Sequence, residues 1–268
     1  MSVDVTELRA FYAGPLGAVA RRAVGRAVDP FWGPDPSLAC LGLGYATPYL
    51  PLAPGRCARR FAFMPAGQGV TVWPAASASA SALVDLTVLP LADETVDRIL
   101  IVHALETAAG PSEILDEAWR VLSPGGRAMV VAPNRRGLWA RMDTTPFGHG
   151  QPFSRSQLRA LLHGARFAPT AWAEILYVPP LRSRTLLRGA GAWERLGVGL
   201  SLPFAGLHVV EATRLLHRPI PVRAVRRSLR TRPVLLPVPA ATRGGLPLRV
   251  GAASGTHSTL ELESSISN

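Results

Sequence analysis

The chain has 268 residues, 48% of them hydrophobic and 18% charged, enough to bury a sizeable core in one large or two small domains. Its formal net charge is +11, yet all 29 basic residues are arginine, a compositional bias that weakens any reading of the charge as selected phosphate chemistry. No window of about 18 residues is both uncharged and strongly apolar, and MSVDVTELRAFYAG opens with acids, so neither a membrane span nor a secretory signal is expected and the cytoplasm is the expected location.

The charge excess sits late in the chain: residues 1–180 sum to +2, 181–250 to +11 and 251–268 to −2. Cys40 and Cys57 fit no metal spacing and make no disulfide framework, so both are expected as small apolar fillers and no metal site is expected.

Residues 1–35 are expected as a helical lead-in. Leu8, Phe11, Tyr12, Leu16, Val19 and Val24 recur at helical spacing, with a break near Gly14-Pro15 and a stop over the segment Asp29-Pro30-Phe31-Trp32-Gly33-Pro34-Asp35-Pro36. Leu38 to Leu41 then form a short apolar run into Gly42-Leu43-Gly44, the pattern of a strand ending in a tight turn that lets backbone approach a nucleotide. A short helix over Tyr49–Leu52, a second strand over Arg60–Met64 and a further short strand over Val70–Trp73 are expected next. The Ala/Ser tract from Ala75 to Ala82 is either a helix or a loose connection.

Leu83–Leu86 is expected as a strand, and Val96–Val102 as a buried strand of near-continuous apolar character. A helix from about Pro111 to Leu122 has Ile114, Leu115, Ala118, Trp119 and Leu122 on one face, with Ser112 as cap or first-turn residue and Ser123-Pro124-Gly125-Gly126 as a stop. Ala128–Ala132 is another buried strand. Strand, crossover helix and strand at this spacing make a parallel βαβ unit. Ser154 caps a helix continued by Leu158, Leu161 and Leu162, and Thr170–Val178 suits a sheet-edge strand. Residues 181–218 are expected as a helical extension, with helices over Leu186–Leu196 and His208–His217, and residues 219–268 as a basic, disordered tail.

The succession of Gly42-Leu43-Gly44, Leu89-Pro90-Leu91-Ala92-Asp93, Val96-Asp97-Arg98-Ile99-Leu100 and Glu117 to Arg127 (EAWRVLSPGGR) resembles class I S-adenosylmethionine-dependent methyltransferases of the type 11 group. The resemblance covers about residues 36–134, more loosely to 180. It implies a methyltransferase-like domain over 36–180, an α/β fold with a doubly wound, mostly parallel seven-stranded sheet, and S-adenosylmethionine bound across the carboxyl edge. On it, Gly42, Gly44, Tyr45, Asp85, Leu86 and His103 are the implied cofactor contacts. Family members carry an acid where this chain has Cys40 and another at the end of the second strand, where Phe63-Met64-Pro65 has none; a weakened or rearranged cofactor grip follows.

Two histidines are candidate catalytic groups. His103 follows Val102 at the strand's carboxyl end with Glu106 three residues on, and His149 sits in the loop TTPFGHGQPF; each is a possible proton acceptor, or else a histidine bonded to backbone or turn with no role. The expected activity is methyl transfer to an unidentified acceptor, and the alternative is a non-catalytic scaffold of the same fold. Contact of the arginine-rich tail with RNA or anionic lipid is the third and weaker possibility.

Overall fold

The computed structural model describes residues 3–50, 56–75, 78–181, 183, 187–200 and 202–215. The basic tail over 219–268 and the second half of the expected Tyr49–Leu52 helix lie outside them; residues 47–50 form a turn.

Helix α1 (Val5–Ala13) starts at Asp4, whose carboxylate accepts from the Thr6 amide at 2.7 Å, and it buries Val5, Leu8 and Tyr12. Gly14 ends it and Pro15 opens α2 (Pro15–Trp32). The corner is tight: a Cβ on Gly17 would stand 1.9 Å from the Phe11 carbonyl oxygen. The expected stop over residues 29–36 falls at Trp32, where α2 ends, with Pro30 inside the helix. Pro30 falls in the last turn and forgoes the amide bond to the Arg26 carbonyl. Burial of Phe31 and Trp32, together with the 3.0 Å bond from Trp32 Nε1 to the Tyr49 carbonyl, outweighs it.

The sheet contains β1 (Ala39–Gly44), β2 (Arg59–Met64), β3 (Ser81–Leu83), β4 (Val96–Val102), β5 (Leu122–Pro133), β6 (Phe167–Ile175) and β7 (Leu207–Arg214) in the order β3-β2-β1-β4-β5-β7-β6. Strands β1 to β5 pair in parallel, and β7 runs antiparallel to both β5 and β6. Alternation along the strands feeds two cores. Cys40, Leu100, Val102, Met129 and Val131 face α1 and α2, whereas Leu41, Ile99, Ile101, Ala128 and Val130 face α3 (Pro111–Val121) and α4 (Arg155–Gly164). The expected seven-stranded, doubly wound sheet is what forms.

Four expectations are corrected. The helix expected over His208–His217 is replaced, over its described residues, by a strand: Val209 packs on one face of the sheet and Val210 and Ala212 on the other, the pattern of a strand buried between two neighbours. The strand expected over Leu83–Leu86 is instead Ser81–Leu83, leaving Asp85 and Leu86 in the following loop. Residues 70–73 pair into no strand. Cys40 and Cys57 are joined by a disulfide that ties the middle of β1 to the approach of β2, closing a separation of 17 residues.

Glu117 and Arg120 on α3 tie the Leu89 to Asp93 block down by contact. Glu117 Oε1 accepts from the Leu89 amide at 2.8 Å, and Arg120, paired with Glu117, donates to the carbonyls of Leu89 and Leu91 and to Asp93. The loop before β4 is thereby clamped to the helix after it. Beyond β6, α5 (Ala190–Gly199) places Glu194 under the amides of Leu176 and Tyr177, at 3.1 and 2.9 Å.

Candidate active site

The order β2-β1-β4-β5 reverses direction between β1 and β4, and open α/β sheets bind ligands at the carboxyl ends beside such a switch point. Gly44 ends β1 there with φ +73°, and a Cβ on it would lie 2.2 Å from the Val102 carbonyl oxygen and 2.9 Å from Ala104 Cβ. Only glycine lets the ends of β1 and β4 come this close. A Cβ on Gly42 would meet Ala46 Cβ at 2.7 Å, so that position serves the turn into residues 45–50.

Immediately beyond Gly44, side chains pack together. The rings of Tyr45 and Tyr12 stack at 5.6 Å, and the Tyr12 hydroxyl lies 2.9 Å from His103 Nε2. On the far side of the imidazole, Nδ1 is 3.3 Å from Glu106 Oε1. Phe147 covers the imidazole at 4.7 Å. Tyr12, His103 and Glu106 are all buried, and among the described residues Glu106 has no hydrogen-bond donor of good geometry at either oxygen, the His103 imidazole lying 3.3 Å away. A carboxylate in that position favours the proton on Nδ1, which leaves Nε2 to accept from the tyrosine. Burial raises the Tyr12 pKa well above its ordinary value, which keeps the hydroxyl a donor. His103 has φ +52°, an uncommon conformation for a residue with a side chain, and Gln68 Nε2 donates to its carbonyl at 2.9 Å.

A cavity of about 450 Å³ opens beside this cluster at the ends of β2, β3 and β4. Pro65, Gly67, Asp85, Leu86, Ala104 and Ile114 are among its walls. Asp85 is exposed there, and bonds from the Thr87 hydroxyl and amide, at 2.7 and 2.9 Å, hold its pKa below the usual carboxylate value. It is the one acid lining the cavity.

The residues singled out by sequence therefore fall into two groups. Asp85 and Leu86 line the cavity. Gly42, Gly44, Tyr45 and His103 lie in the packed cluster next to it, and Ala104, which touches Gly44 and lines the cavity, joins the two. His149 stands apart: its Nε2 is 3.0 Å from the Asp143 carbonyl in a loop that closes over Glu106, with the Gln151 amide donating to the Glu106 carbonyl at 2.7 Å. Tyr12 and Gln68 were not legible as site residues. Tyr12 reads as one more apolar position of a helical stripe, and nothing marks the partner it finds 91 residues away.

Seven strands in this order with the last antiparallel pair, helices on both faces and a glycine turn at the switch point are decided by one further match: residues 40–130 fit the methyltransferase domain family. That segment is similar to class I methyltransferase domains. A ubiquinone/menaquinone C-methyltransferase of Roseobacter denitrificans is 47% identical over 47 residues, 18% of this chain and 19% of that protein. A probable S-adenosylmethionine-dependent methyltransferase of Mycolicibacterium smegmatis is 34% identical over 85 residues, 31% and 33% of the two chains. The matched segments thus span about a fifth to a third of these curated relatives.

The methyltransferase fold itself extends further. A possible histamine N-methyltransferase from Thermotoga maritima superposes with a TM-score of 0.54 at 17% identity, covering 78% of this chain and 96% of its own. A putative methyltransferase of Haloferax volcanii, solved with the Trm112 activator, gives 0.57 at 18%, covering 79% and 97%. The [4+2]-cyclase SpnF gives 0.53 at 17%, covering 81% and 98%, so the fold also houses another chemistry.

A methyltransferase domain implies S-adenosylmethionine as its cofactor, and the residues present fit it unevenly. The cavity beside Asp85 and Leu86 has room and a carboxylate for an adenosine. Met64, which ends β2, is fully buried and is followed by Pro65, so the second carboxylate implied by the resemblance is lacking among the described residues there. Next to Gly44, Tyr45 is buried and stacked on Tyr12.

Proposed function

We propose that this protein transfers a methyl group from S-adenosylmethionine to an acceptor yet to be identified, with the adenine end of the cofactor in the cavity beside Asp85 and Leu86. The observation that carries this reading is the cavity itself, at the carboxyl edge next to the switch point and walled by the two residues that the resemblance assigns to adenine. When bound, the cofactor supplies a methyl group already activated by its sulfonium charge, so positioning and exclusion of water are most of the task. Glu106 keeps the proton on His103 Nδ1, and Nε2, which now faces the Tyr12 hydroxyl, is the group placed to accept a proton from an acceptor's hydroxyl or amine. Phe147 and Tyr45 exclude water. His149, on the loop over Glu106, is a second acceptor-side candidate. Calorimetric titration with S-adenosylmethionine and S-adenosylhomocysteine tests the reading: saturable heat is expected, and none at millimolar ligand rejects it.

A second reading, a scaffold that keeps the fold without gripping the cofactor, is favoured by the buried Tyr45–Tyr12 stack next to Gly44 and the missing acid after β2. The same titration decides between the two. Residence in the cytoplasm belongs to the first reading, and the Cys40–Cys57 disulfide makes it testable, since a reducing cytosol keeps such pairs open. Rapid alkylation of intact cells should find both thiols reduced; a fully oxidised pair points to another compartment.

A further inference from the structure

A second cavity, of about 510 Å³, lies further along the carboxyl edge where β5, β6 and β7 meet the start of α4. Arg136, Arg155 and Arg159 line it, with Glu174 as the one acid and His208 within its wall. His208 is only 2% exposed, and among the described residues neither ring nitrogen completes a hydrogen bond of good geometry, the Phe153 carbonyl acting on the ring only as an imperfect acceptor. Its Nδ1 is 3.6 Å from Glu174 Oε1. A buried polar group without a partner of good geometry is costly, and one in the wall of a cavity is poised for a ligand.

Helix α4 has ten residues and a complete capping box: Ser154 Oγ accepts from the Gln157 amide and Gln157 Oε1 from the Ser154 amide. That leaves the first-turn amides of Arg155 and Ser156, which have no acceptor within a helix, at the positive end of its dipole. Arg155 is held over the Trp172 ring at 4.9 Å and lies 3.9 Å from Glu174. The three guanidinium groups less Glu174 leave two positive charges, which match a dianion rather than a carboxylate.

We propose that this cavity binds a phosphate dianion, free or as a phosphomonoester, between the α4 N-terminus, the guanidinium groups of Arg136, Arg155 and Arg159, and the His208 imidazole. Burial, reinforced by Arg155 and opposed by the Phe153 carbonyl, holds His208 down to about 4, so at neutral pH the ring is uncharged and offers one N–H. The site is separate from the Asp85 cavity and stands whether or not methyl transfer occurs there.

The test uses the full chain with histidine ring nitrogens labelled, titrated with sodium phosphate and, separately, methyl phosphate, at ionic strength held constant with sodium chloride. The His208 signals isolate this cavity from the arginine-rich tail, which attracts any anion. Saturable movement of the His208 signals is expected, with half-saturation raised at least tenfold in Arg155→Gln or Arg159→Gln, both surface changes that keep the fold. Tighter binding of methyl phosphate assigns the site to a phosphomonoester, and equal or weaker binding to free phosphate. Signals that do not move with phosphate, or that titrate identically in both variants, overturn the proposal.

Discussion

Glu106 is the residue on which the chemistry of the cluster turns. A carboxylate buried with no good donor at either oxygen is retained at a cost, and it faces His103 Nδ1. Glu106→Gln keeps the shape and removes the charge, so the imidazole loses the partner that fixes its tautomer and that would steady it once protonated. For the proposed methyl transfer, kcat is expected to fall by about 10²-fold with cofactor affinity unchanged; initial rates and calorimetry on the same preparation check both halves. Equal rates in the two proteins would remove His103 from the chemistry. His103-x-x-Glu106 was visible as a pair in the sequence because both lie on one short segment. Tyr12 was not, since a hydroxyl on an apolar helical stripe gives no sign of where its helix will dock.

At the scale of elements, the parts best read from sequence are those whose residues touch. The blocks Leu89 to Asp93 and Glu117 to Arg120 look like two separate motifs, but they are one clamp in which an α3 carboxylate and guanidinium saturate the backbone of the loop before β4. Hydrogen bonding from Arg120 keeps the Glu117 pKa low. Glu117→Ala leaves the Leu89 amide and Arg120 without this partner, and a loss of about 1–3 kcal/mol in unfolding free energy is expected by urea denaturation. An unchanged midpoint would mean that the clamp positions the loop without stabilising the fold. Strand β7 was the element least legible. Its run HVVEATR supports a helical pattern or a doubly buried strand equally well, and only insertion between β5 and β6, distant in sequence, selects the strand. The disulfide was hidden for a related reason: 17 residues of separation say nothing until β1 and β2 pair side by side.

For the molecule as a whole, the buried imidazole in β7 sets a pH dependence. His208 has a folded-state pKa of about 4 against an ordinary value of 6.5, so between those limits the unfolded chain binds a proton that the folded chain refuses. Stability therefore rises with pH through that window, is fully present above 6.5, and is lost as pH falls towards 4. The loss is on the order of 3 kcal/mol. Arg155 on α4 works in the same direction as burial, whereas Glu174 on β6 and the Phe153 carbonyl resist it, so a ligand that neutralised Arg155 would move the window upward. Urea unfolding from pH 7 down to pH 4 should show the decline in the parent protein. The decline should flatten in His208→Gln, which keeps a polar side chain of similar reach and carries no proton. A slope that survives this substitution would place the acid sensitivity in other groups and leave the interior around β7 indifferent to protonation.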